Sequence, residues 1–165
     1  MPGAAKRSRK STPTRVLVLS GPNLHRLGKR QPEIYGTQTL DDIHALVAER
    51  AATRGAHAAC RQSNYEGELV EWIGEAEAEG FRGILLNPGA LTHTSYALYD
   101  AVLGAGIPTI ELHLSNPEAR EPFRRHSCVA AACVGKVAGF GALSYVLALE
   151  GLLEHLARQQ LAASR

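Results

Sequence analysis

The sequence is poor in cysteine, and the spacing of its cysteines narrows the class of protein. It contains three, Cys60, Cys128 and Cys133, and no two of them form a C-x-x-C pair. An odd number of cysteines without paired spacing predicts neither a disulfide framework nor a zinc site. We therefore expect three buried, unreactive thiols.

Long hydrophobic runs are also missing. No apolar run approaches the ~20 residues that a helix needs to cross a bilayer, and the N-terminus lacks the apolar segment of a secretory signal. We therefore expect a cytoplasmic protein that does not bind a membrane. With 165 residues, of which 45% are hydrophobic, the chain has the size of one ordinary domain and can bury a core.

Several motifs of nucleotide binding, hydrolysis and metal binding are absent. The glycines after the first predicted strand fit neither the phosphate loop G-x-x-x-x-G-K-[ST] nor the dinucleotide pattern G-x-G-x-x-G. The G-x-S-x-G elbow of serine hydrolases is missing, and no two histidines have the i, i+4 spacing of a zinc site. No bound metal ion is therefore expected.

Positive charge is concentrated at the start of the chain. Five lysines and arginines lie in the first fifteen residues, which contain no acid. A basic stretch without apolar periodicity is typical of a disordered terminus, although contact with nucleic acid or a membrane is the alternative. We predict a disordered basic tail over residues 1–14, no nucleic-acid partner, and one α/β domain over residues 15–160.

From residue 15 onward, short apolar runs alternate with segments of helical period. The predicted strands cover residues 15–20, 56–62, 83–87, 109–114 and 133–139. The predicted helices cover residues 39–55, 66–79, 94–105 and 142 to beyond 157. Because parallel strands need long crossovers, this alternation predicts a flavodoxin-like, doubly wound, five-stranded parallel sheet in three α/β/α layers.

In such folds ligands bind at the carboxyl ends of the strands, and the third predicted strand ends in polar residues. Asn87 stands at the end of that strand, and His93 follows within "NPGALTHTS". Both side chains can hydrogen-bond a polyhydroxylated or carboxylate ligand. Thr94 and Ser95, beside them, can instead cap the helix that follows.

The fourth predicted strand contains an unusual Glu-x-His pair. Period-two alternation places Glu111 and His113 on one face, although strands of parallel sheets are normally apolar on both faces. A carboxylate fixes the tautomer of a neighbouring histidine and favours its protonated form, which makes a general acid available. A frayed, exposed strand end is the alternative. If Arg124 returns to the site, it can hold oxyanions or hydroxyls, whereas we expect Arg120 and Arg125 on the surface or at subunit contacts.

Three motifs together resemble the type II dehydroquinases, the 3-dehydroquinate dehydratases of the shikimate pathway. They are "GPNL..LG.R.P..YG", "NPGALTHTS" and "ELHLSN...RE.FR..S", they occur in the family's order, and the resemblance runs from about residue 16 to residue 156. It implies reversible anti elimination of water from 3-dehydroquinate through an enolate, giving 3-dehydroshikimate. It also implies that no metal or organic cofactor takes part, and that no lysine forms a Schiff base.

The resemblance implies catalytic roles for five residues. Tyr35 matches the base that removes the proton alpha to the ketone, Arg30 the arginine that keeps this tyrosine as a phenolate, and Asn23 the residue that orders a water against the enolate oxygen. His113, oriented by Glu111, matches the acid that protonates the leaving hydroxyl. A cation at ~4 Å in an effective dielectric of about 20 contributes on the order of 4 kcal/mol, enough for one arginine to make a phenol basic near neutral pH.

The resemblance also implies substrate contacts and an assembly. The matched partners of the substrate's carboxylate and hydroxyls are Asn87, His93, Arg124 and the backbone at Leu114 and Ser115. Asp100 matches an aspartate that reaches the site of a neighbouring subunit in the family's dodecamer, a tetramer of trimers. Residues 24–35 are expected to form a mobile lid that keeps water from the enolate.

The sequence departs from the family's pattern at four positions outside the matched catalytic groups. Ser20 stands where the family usually has Asn, and Gln31 stands where Glu is common. Pro117 and Pro122 alter the segment around Arg120. These departures concern the kinetics of the lid and the subunit contacts more than the reaction.

Two rival functions remain at the level of sequence. A non-catalytic module that binds a small carboxylate on the same fold would not need Tyr35, Arg30 and His113 together. A hydrolase using His113 and Glu111 would lack a nucleophile, because Ser115 has no elbow motif around it.

Overall fold

A single parallel sheet organises the chain in the computed structural model, which describes residues 12–29 and 31–165. Its strands are β1 Thr14–Ser20, β2 Ala56–Gln62, β3 Gly83–Asn87, β4 Thr109–His113 and β5 Gly135–Ala138. They pair in parallel in the order β2-β1-β3-β4-β5. This is the flavodoxin-like order, which confirms the predicted fold class.

Helices cover both faces of the sheet. Within the described residues the α-helices are α1 Pro32–Tyr35, α2 Leu40–Thr53, α3 Glu66–Glu75, α4 Tyr96–Ala105 and α5 Leu143–Ala163. Helices α2 and α5 pack on one face, and α3 and α4 pack on the other. The three α/β/α layers follow from this arrangement. None of the helices in the described residues is both long and apolar enough to span a membrane.

Strand β1 contributes to two separate cores because its side chains alternate between the faces. Val16 and Val18 pack in the core under α2 and α5, whereas Leu17 and Leu19 pack in the core under α3 and α4. All four side chains are fully buried. Burying a side chain of this size contributes roughly 1.5–3 kcal/mol, so an uninterrupted apolar strand is stabilised on both of its faces.

The predicted start of α2 is confirmed by a complete capping box. The backbone N–H of Asp42 donates to Thr39 Oγ1 at 3.2 Å, and the backbone N–H of Thr39 donates to Asp42 Oδ2 at 2.9 Å. These two bonds satisfy amide groups that the first turn of a helix leaves without partners.

The limits of two other helices differ from the prediction. Helix α3 ends at Glu75 rather than at residue 79, and the chain then turns through Gly80, whose φ is 84°. Helix α4 begins at Tyr96 rather than at residue 94, because Ser95 caps it by accepting a hydrogen bond from Leu98 N at 2.9 Å. The capping interpretation of Ser95 is therefore confirmed.

The last predicted strand is shorter than expected, and most of the predicted basic tail lies outside the described residues. Strand β5 covers Gly135–Ala138 instead of residues 133–139, because Gly139 turns the chain with a φ of 96°. Residues 1–11 of the predicted basic tail lie outside the described residues. Strand β1 begins at Thr14, so the last residue of the predicted tail belongs to the sheet instead.

The cysteines are free thiols. Cys128 is buried, and Cys60 and Cys133 are partly buried. Burial raises the pKa of Cys60 to about 11, and burial beside the Glu111 carboxylate raises the pKa of Cys133 to about 12. Both groups therefore stay protonated, and poorly nucleophilic, at neutral pH.

Candidate active site

A cavity opens at the carboxyl end of the sheet, where the strand order reverses between β1 and β3. Its walls come from residues 22–27 after β1, residues 87–93 at and after the end of β3, and residues 113–124 at and after the end of β4. Crevices of this kind are the usual ligand sites of doubly wound folds. Seven of the predicted site residues line it: Asn23, Asn87, His93, His113, Leu114, Ser115 and Arg124.

The other four predicted site residues are placed differently. Glu111 lies directly behind His113 and is fully buried. Asp100 is exposed on α4 and is not among the described residues that line this cavity. Arg30 lies outside the described residues. Only the backbone of Tyr35 is described, as the last residue of α1.

Glu111 and His113 form a buried pair on one face of β4. His113 Nε2 lies 2.7 Å from Glu111 Oε1, and the exposed fractions of the two residues are 8% and 0%. The shared face is as predicted, and the alternative of a frayed strand end is wrong. Because an ionised carboxylate only accepts hydrogen bonds, Nε2 carries the hydrogen and Nδ1 is left to act on a ligand.

Two further groups hold the Glu111 carboxylate. Ser127 Oγ donates to Glu111 Oε2 at 2.7 Å, and Lys136 Nζ lies 3.5 Å from Oε1, because Lys136 is the register partner of Glu111 on β5. Burial acts to raise the pKa of Glu111, but the hydrogen bonds from His113 and Ser127 and the charges of His113 and Lys136 outweigh it and lower the pKa. The carboxylate is therefore ionised at neutral pH.

The lowered pKa of Glu111 predicts a loss of stability in acid that Glu111→Gln should reduce. A carboxylate whose pKa is lower in the folded chain stabilises the fold above its ordinary pKa, and this contribution is lost as the pH falls from about 5 through the folded value. At neutral pH we expect Glu111→Gln to lower the free energy of unfolding by about 1.5–3 kcal/mol, the contribution of a hydrogen bond to a charged group.

The measurement is urea unfolding at a series of pH values. The gap between native protein and Glu111→Gln should narrow steadily from about pH 5 downward. Glu66→Gln, on the exposed surface at the start of α3, serves as the matched control and should keep the native acid profile. A gap for Glu111→Gln that stays constant with pH would contradict the assignment.

The tautomer of His93 follows from its hydrogen bond. Its Nδ1 lies 2.7 Å from the backbone oxygen of His126, and its ring packs edge-on against Phe123 at a centroid distance of 5.7 Å. A carbonyl oxygen only accepts, so Nδ1 carries the hydrogen. Nε2 is then the ring nitrogen available to a ligand, and in the neutral ring it accepts a hydrogen bond from a hydroxyl.

Arg120 lines the main cavity. The prediction that it lies on the surface or at a subunit contact is therefore wrong. Its Nη1 lies 3.3 Å from Ser115 Oγ, and its Nε lies 3.5 Å from Glu121 Oε2. The 3₁₀ turn Pro117–Ala119, capped by Asn116, folds the chain back and returns Arg120 to the site. Arg124 contacts Glu121 Oε2 at 2.7 Å, so one carboxylate aligns both guanidinium groups.

The loop after β1 is held against the loop after β3. A Cβ atom on Gly21 would lie 2.5 Å from the backbone oxygen of Pro88, so only glycine permits this close approach. Asn23 follows with a φ of 68°, and its backbone N–H donates to Asn64 Oδ1 at 2.9 Å. The sequence prediction missed Asn64, which keeps Asn23 at the edge of the cavity.

A second cavity adjoins the first. It shares Leu114, Ser115 and Arg120 with the main cavity, and the segment after β1 borders it through Ile34, Gly36 and Gln38. The backbone of Tyr35 thus lies between two residues that line a cavity next to the site.

The main cavity combines groups with complementary chemistry. An imidazole backed by a buried carboxylate can donate a proton to a leaving group, and two guanidinium groups can hold a carboxylate or hydroxyls. In the part of the chain that the structure describes, no three His, Cys, Asp or Glu side chains are grouped so as to hold a metal ion.

Comparison with known protein families and with individual proteins gives matches that cover most of the chain. The family model described as "Dehydroquinase class II" matches residues 14–153. The 3-dehydroquinate dehydratase of Thermus thermophilus is 55% identical over 141 residues, which span 86% of this chain and 95% of that protein. The 3-dehydroquinate dehydratase of Deinococcus radiodurans is 52% identical over 141 residues, which span 86% and 99%.

Structural comparison gives the same result. The crystal structure of the type II dehydroquinase from Butyrivibrio crossotus matches with a TM-score of 0.84 at 38% sequence identity, over 86% of this chain and 99% of that one. The resemblance found in the sequence motifs is confirmed. The chain belongs to the class II dehydroquinase family.

Proposed function

We infer that the chain is a 3-dehydroquinate dehydratase, a hydro-lyase that converts 3-dehydroquinate reversibly into 3-dehydroshikimate in the shikimate pathway. Relatives more than half identical to it carry that name. The observation in the site that carries this inference is the buried Glu111–His113 pair at the base of the cavity. A histidine held in one tautomer by an ionised carboxylate is suited to deliver a proton to a leaving hydroxyl.

We assign the acid step to His113. Loss of water requires that the departing hydroxyl be protonated, because hydroxide is a poor leaving group. The Nε2–H bond to Glu111 leaves Nδ1 of the protonated ring as the donor. Glu111 orients the ring and stabilises its positive charge, with Ser127 and Lys136 holding the carboxylate in turn.

We assign substrate binding to the polar groups that line the cavity beside His113. The guanidinium groups of Arg120 and Arg124 and the hydroxyl of Ser115 are suited to the carboxylate and hydroxyl oxygens of 3-dehydroquinate. His93 Nε2 offers an acceptor for a substrate hydroxyl, given the tautomer that the His126 carbonyl imposes. Each hydrogen bond from the charged groups of Arg120 and Arg124 contributes about 1.5–3 kcal/mol to binding.

The base step is assigned to Tyr35, with Arg30 stabilising its phenolate and Asn23 ordering a water against the enolate oxygen. The position of Asn23 at the cavity edge supports its role. For Tyr35, support comes from the flanking residues Ile34 and Gly36, which border the adjoining cavity. Anti elimination requires base and acid on opposite faces of the ring, and these residues belong to a different segment from His113.

The alternative is a non-catalytic module that binds a small carboxylate. Such a module needs cations and hydrogen-bond donors but no proton donor. A buried, ionised carboxylate that fixes the tautomer of a histidine serves proton transfer, and such a module would have no need of it. An assay of turnover separates the two functions.

That assay follows the conjugated enone of 3-dehydroshikimate in the ultraviolet after addition of 3-dehydroquinate. We expect an increase in absorbance that is the same with and without a chelator. Borohydride added with substrate should leave the activity intact, because Lys136 contacts Glu111 and is not among the described residues that line the cavity. No change in absorbance under either condition would refute the enzyme function.

We also propose that the enzyme is cytoplasmic and assembles as a dodecamer, a tetramer of trimers. Asp100 is exposed on α4 and lies outside its own subunit's cavity, as expected for a residue that serves a neighbouring site. The same helix exposes two large apolar side chains, Tyr96 at 70% and Leu103 at 54%. Exposed apolar area of this kind favours contact with another subunit.

Asp100→Ala should raise KM by about tenfold or more without changing the assembly, because the site would lose one charged hydrogen bond. Sedimentation should give a mass twelve times that of the chain for native protein and variant. When Asp100→Ala and His113→Asn subunits are dissociated, mixed and reassembled, activity measured at substrate concentrations well below the native KM should exceed that of either variant. Absence of recovery in mixed assemblies would contradict a shared site.

A further inference from the structure

Tyr145 is a buried tyrosine whose hydroxyl joins the ends of two strands. It lies on α5 with an exposed fraction of 0%. Its hydroxyl oxygen lies 3.0 Å from Ser20 Oγ, at the end of β1, and 3.0 Å from Asn87 Nδ2, at the end of β3. Of these three residues, only Asn87 lines the main cavity.

The orientation of the Asn87 amide follows from its neighbours. The backbone N–H of Gly89, which can only donate, lies 3.2 Å from Asn87 Oδ1, so the amide oxygen must face Gly89. The amide nitrogen therefore faces Tyr145. This nitrogen has two hydrogens, and the bond to Tyr145 uses one of them.

The direction of the second bond follows in the same way. The Tyr145 oxygen accepts from Asn87, and the phenol's own hydrogen needs an acceptor because the group is fully buried. Of its two partners, only Ser20 Oγ can accept. Burial raises the pKa of Tyr145 to about 12, so the phenol keeps this hydrogen at neutral pH.

We propose that Tyr145 is a positioning residue of the active site, which holds the Asn87 amide so that its remaining N–H points to the substrate. The substrate atom at this place is then a hydrogen-bond acceptor, a carboxylate or hydroxyl oxygen. Without the phenol oxygen, the amide nitrogen would lose the partner that fixes its direction. This proposal rests on the function proposed above.

Tyr145→Phe isolates the hydroxyl because it keeps the aromatic ring in the core. We expect a rise in KM for 3-dehydroquinate of about three- to tenfold, as for the loss of one hydrogen bond, and a kcat within about twofold of native. Tyr65→Phe removes the phenol of a side chain in a residue that is 71% exposed, and should leave both constants unchanged. A purely structural role would lower the melting temperature without this selective rise in KM.

A double-mutant cycle tests whether Tyr145 acts through Asn87. In an Asn87→Ala background, Tyr145→Phe should change KM by less than about twofold, because the group that it positions is gone. An equal rise in KM in both backgrounds would refute the proposal. So would an unchanged KM for Tyr145→Phe in the otherwise native chain.

Ser20→Ala gives a second approach if Tyr145→Phe does not fold. Ser20→Ala removes the acceptor of the phenol's hydrogen. It should raise KM, as Tyr145→Phe does, and this rise should likewise disappear in the Asn87→Ala background. Native protein is assayed alongside. Absence of native turnover would refute the function itself, whereas native turnover with an unchanged KM in the variants would refute only the role of Tyr145.

Discussion

Replacing His113 by asparagine is expected to lower kcat for the dehydration by about 10²–10⁴-fold, the usual contribution of a general acid. Asparagine keeps a polar group in the site, but its amide nitrogen takes the place of the ring's Nδ1 and does not reach the Glu111 carboxylate, which lies 2.7 Å from the native Nε2. It cannot protonate the leaving hydroxyl. We therefore expect turnover to fall while KM changes little, and the loss of the bond to Glu111 should lower the melting temperature.

Initial rates of enone formation measure this effect. The matched control is His57→Asn on the exposed surface of β2, which should keep the native kcat. A substrate analogue whose leaving group departs as a stable anion should recover much of the lost rate, because it needs no proton. A kcat for His113→Asn within about tenfold of native would assign the acid step to another group.

Much of the fold could be predicted because its determinants are local. Val16 to Leu19 form a continuous apolar run, as expected for a strand with cores on both of its faces. The capping box of Thr39 and Asp42 lies within four residues, so its start signal is complete in the sequence. Features that depend on neighbouring residues in the chain were therefore recovered.

The 3₁₀ segments could not be predicted in the same way. They are short, and tertiary contacts decide where they form. The turn Pro117–Ala119 redirects Arg120 into the cavity, whereas the sequence indicates only that Pro117 departs from the family's pattern. The path of the chain beyond a strand end thus decided which arginines reach the site.

The supports of the site were missed because their partners are distant in the chain. Tyr145 lies 58 residues from Asn87 and 125 from Ser20, so no local pattern joins them. Lys136 meets Glu111 through the register of β4 and β5. The contact between Lys136 and Glu111 can be predicted from the sequence only when the strand order and the register are already known. Period-two alternation sufficed for Glu111 and His113, because they share one strand.

Tyr35→Phe is expected to lower kcat by about 10³-fold or more, because phenylalanine cannot remove the proton alpha to the ketone. The ring remains, so we expect the dissociation constant for substrate to stay within about threefold of native. Tyr65→Phe provides the matched control with the same chemical change. Near-native turnover by Tyr35→Phe would mean that another residue is the base.

Proton exchange in D₂O distinguishes the base step from the acid step in a single experiment. If Tyr35 forms the enolate and His113 then protonates the leaving hydroxyl, His113→Asn should still exchange the alpha hydrogen of 3-dehydroquinate for deuterium without losing water. Tyr35→Phe should neither exchange this hydrogen nor lose water. Nuclear magnetic resonance of the substrate measures both reactions. Exchange by Tyr35→Phe at the rate of His113→Asn would reject Tyr35 as the base, whatever the effect on turnover, because enolate formation would not require its hydroxyl.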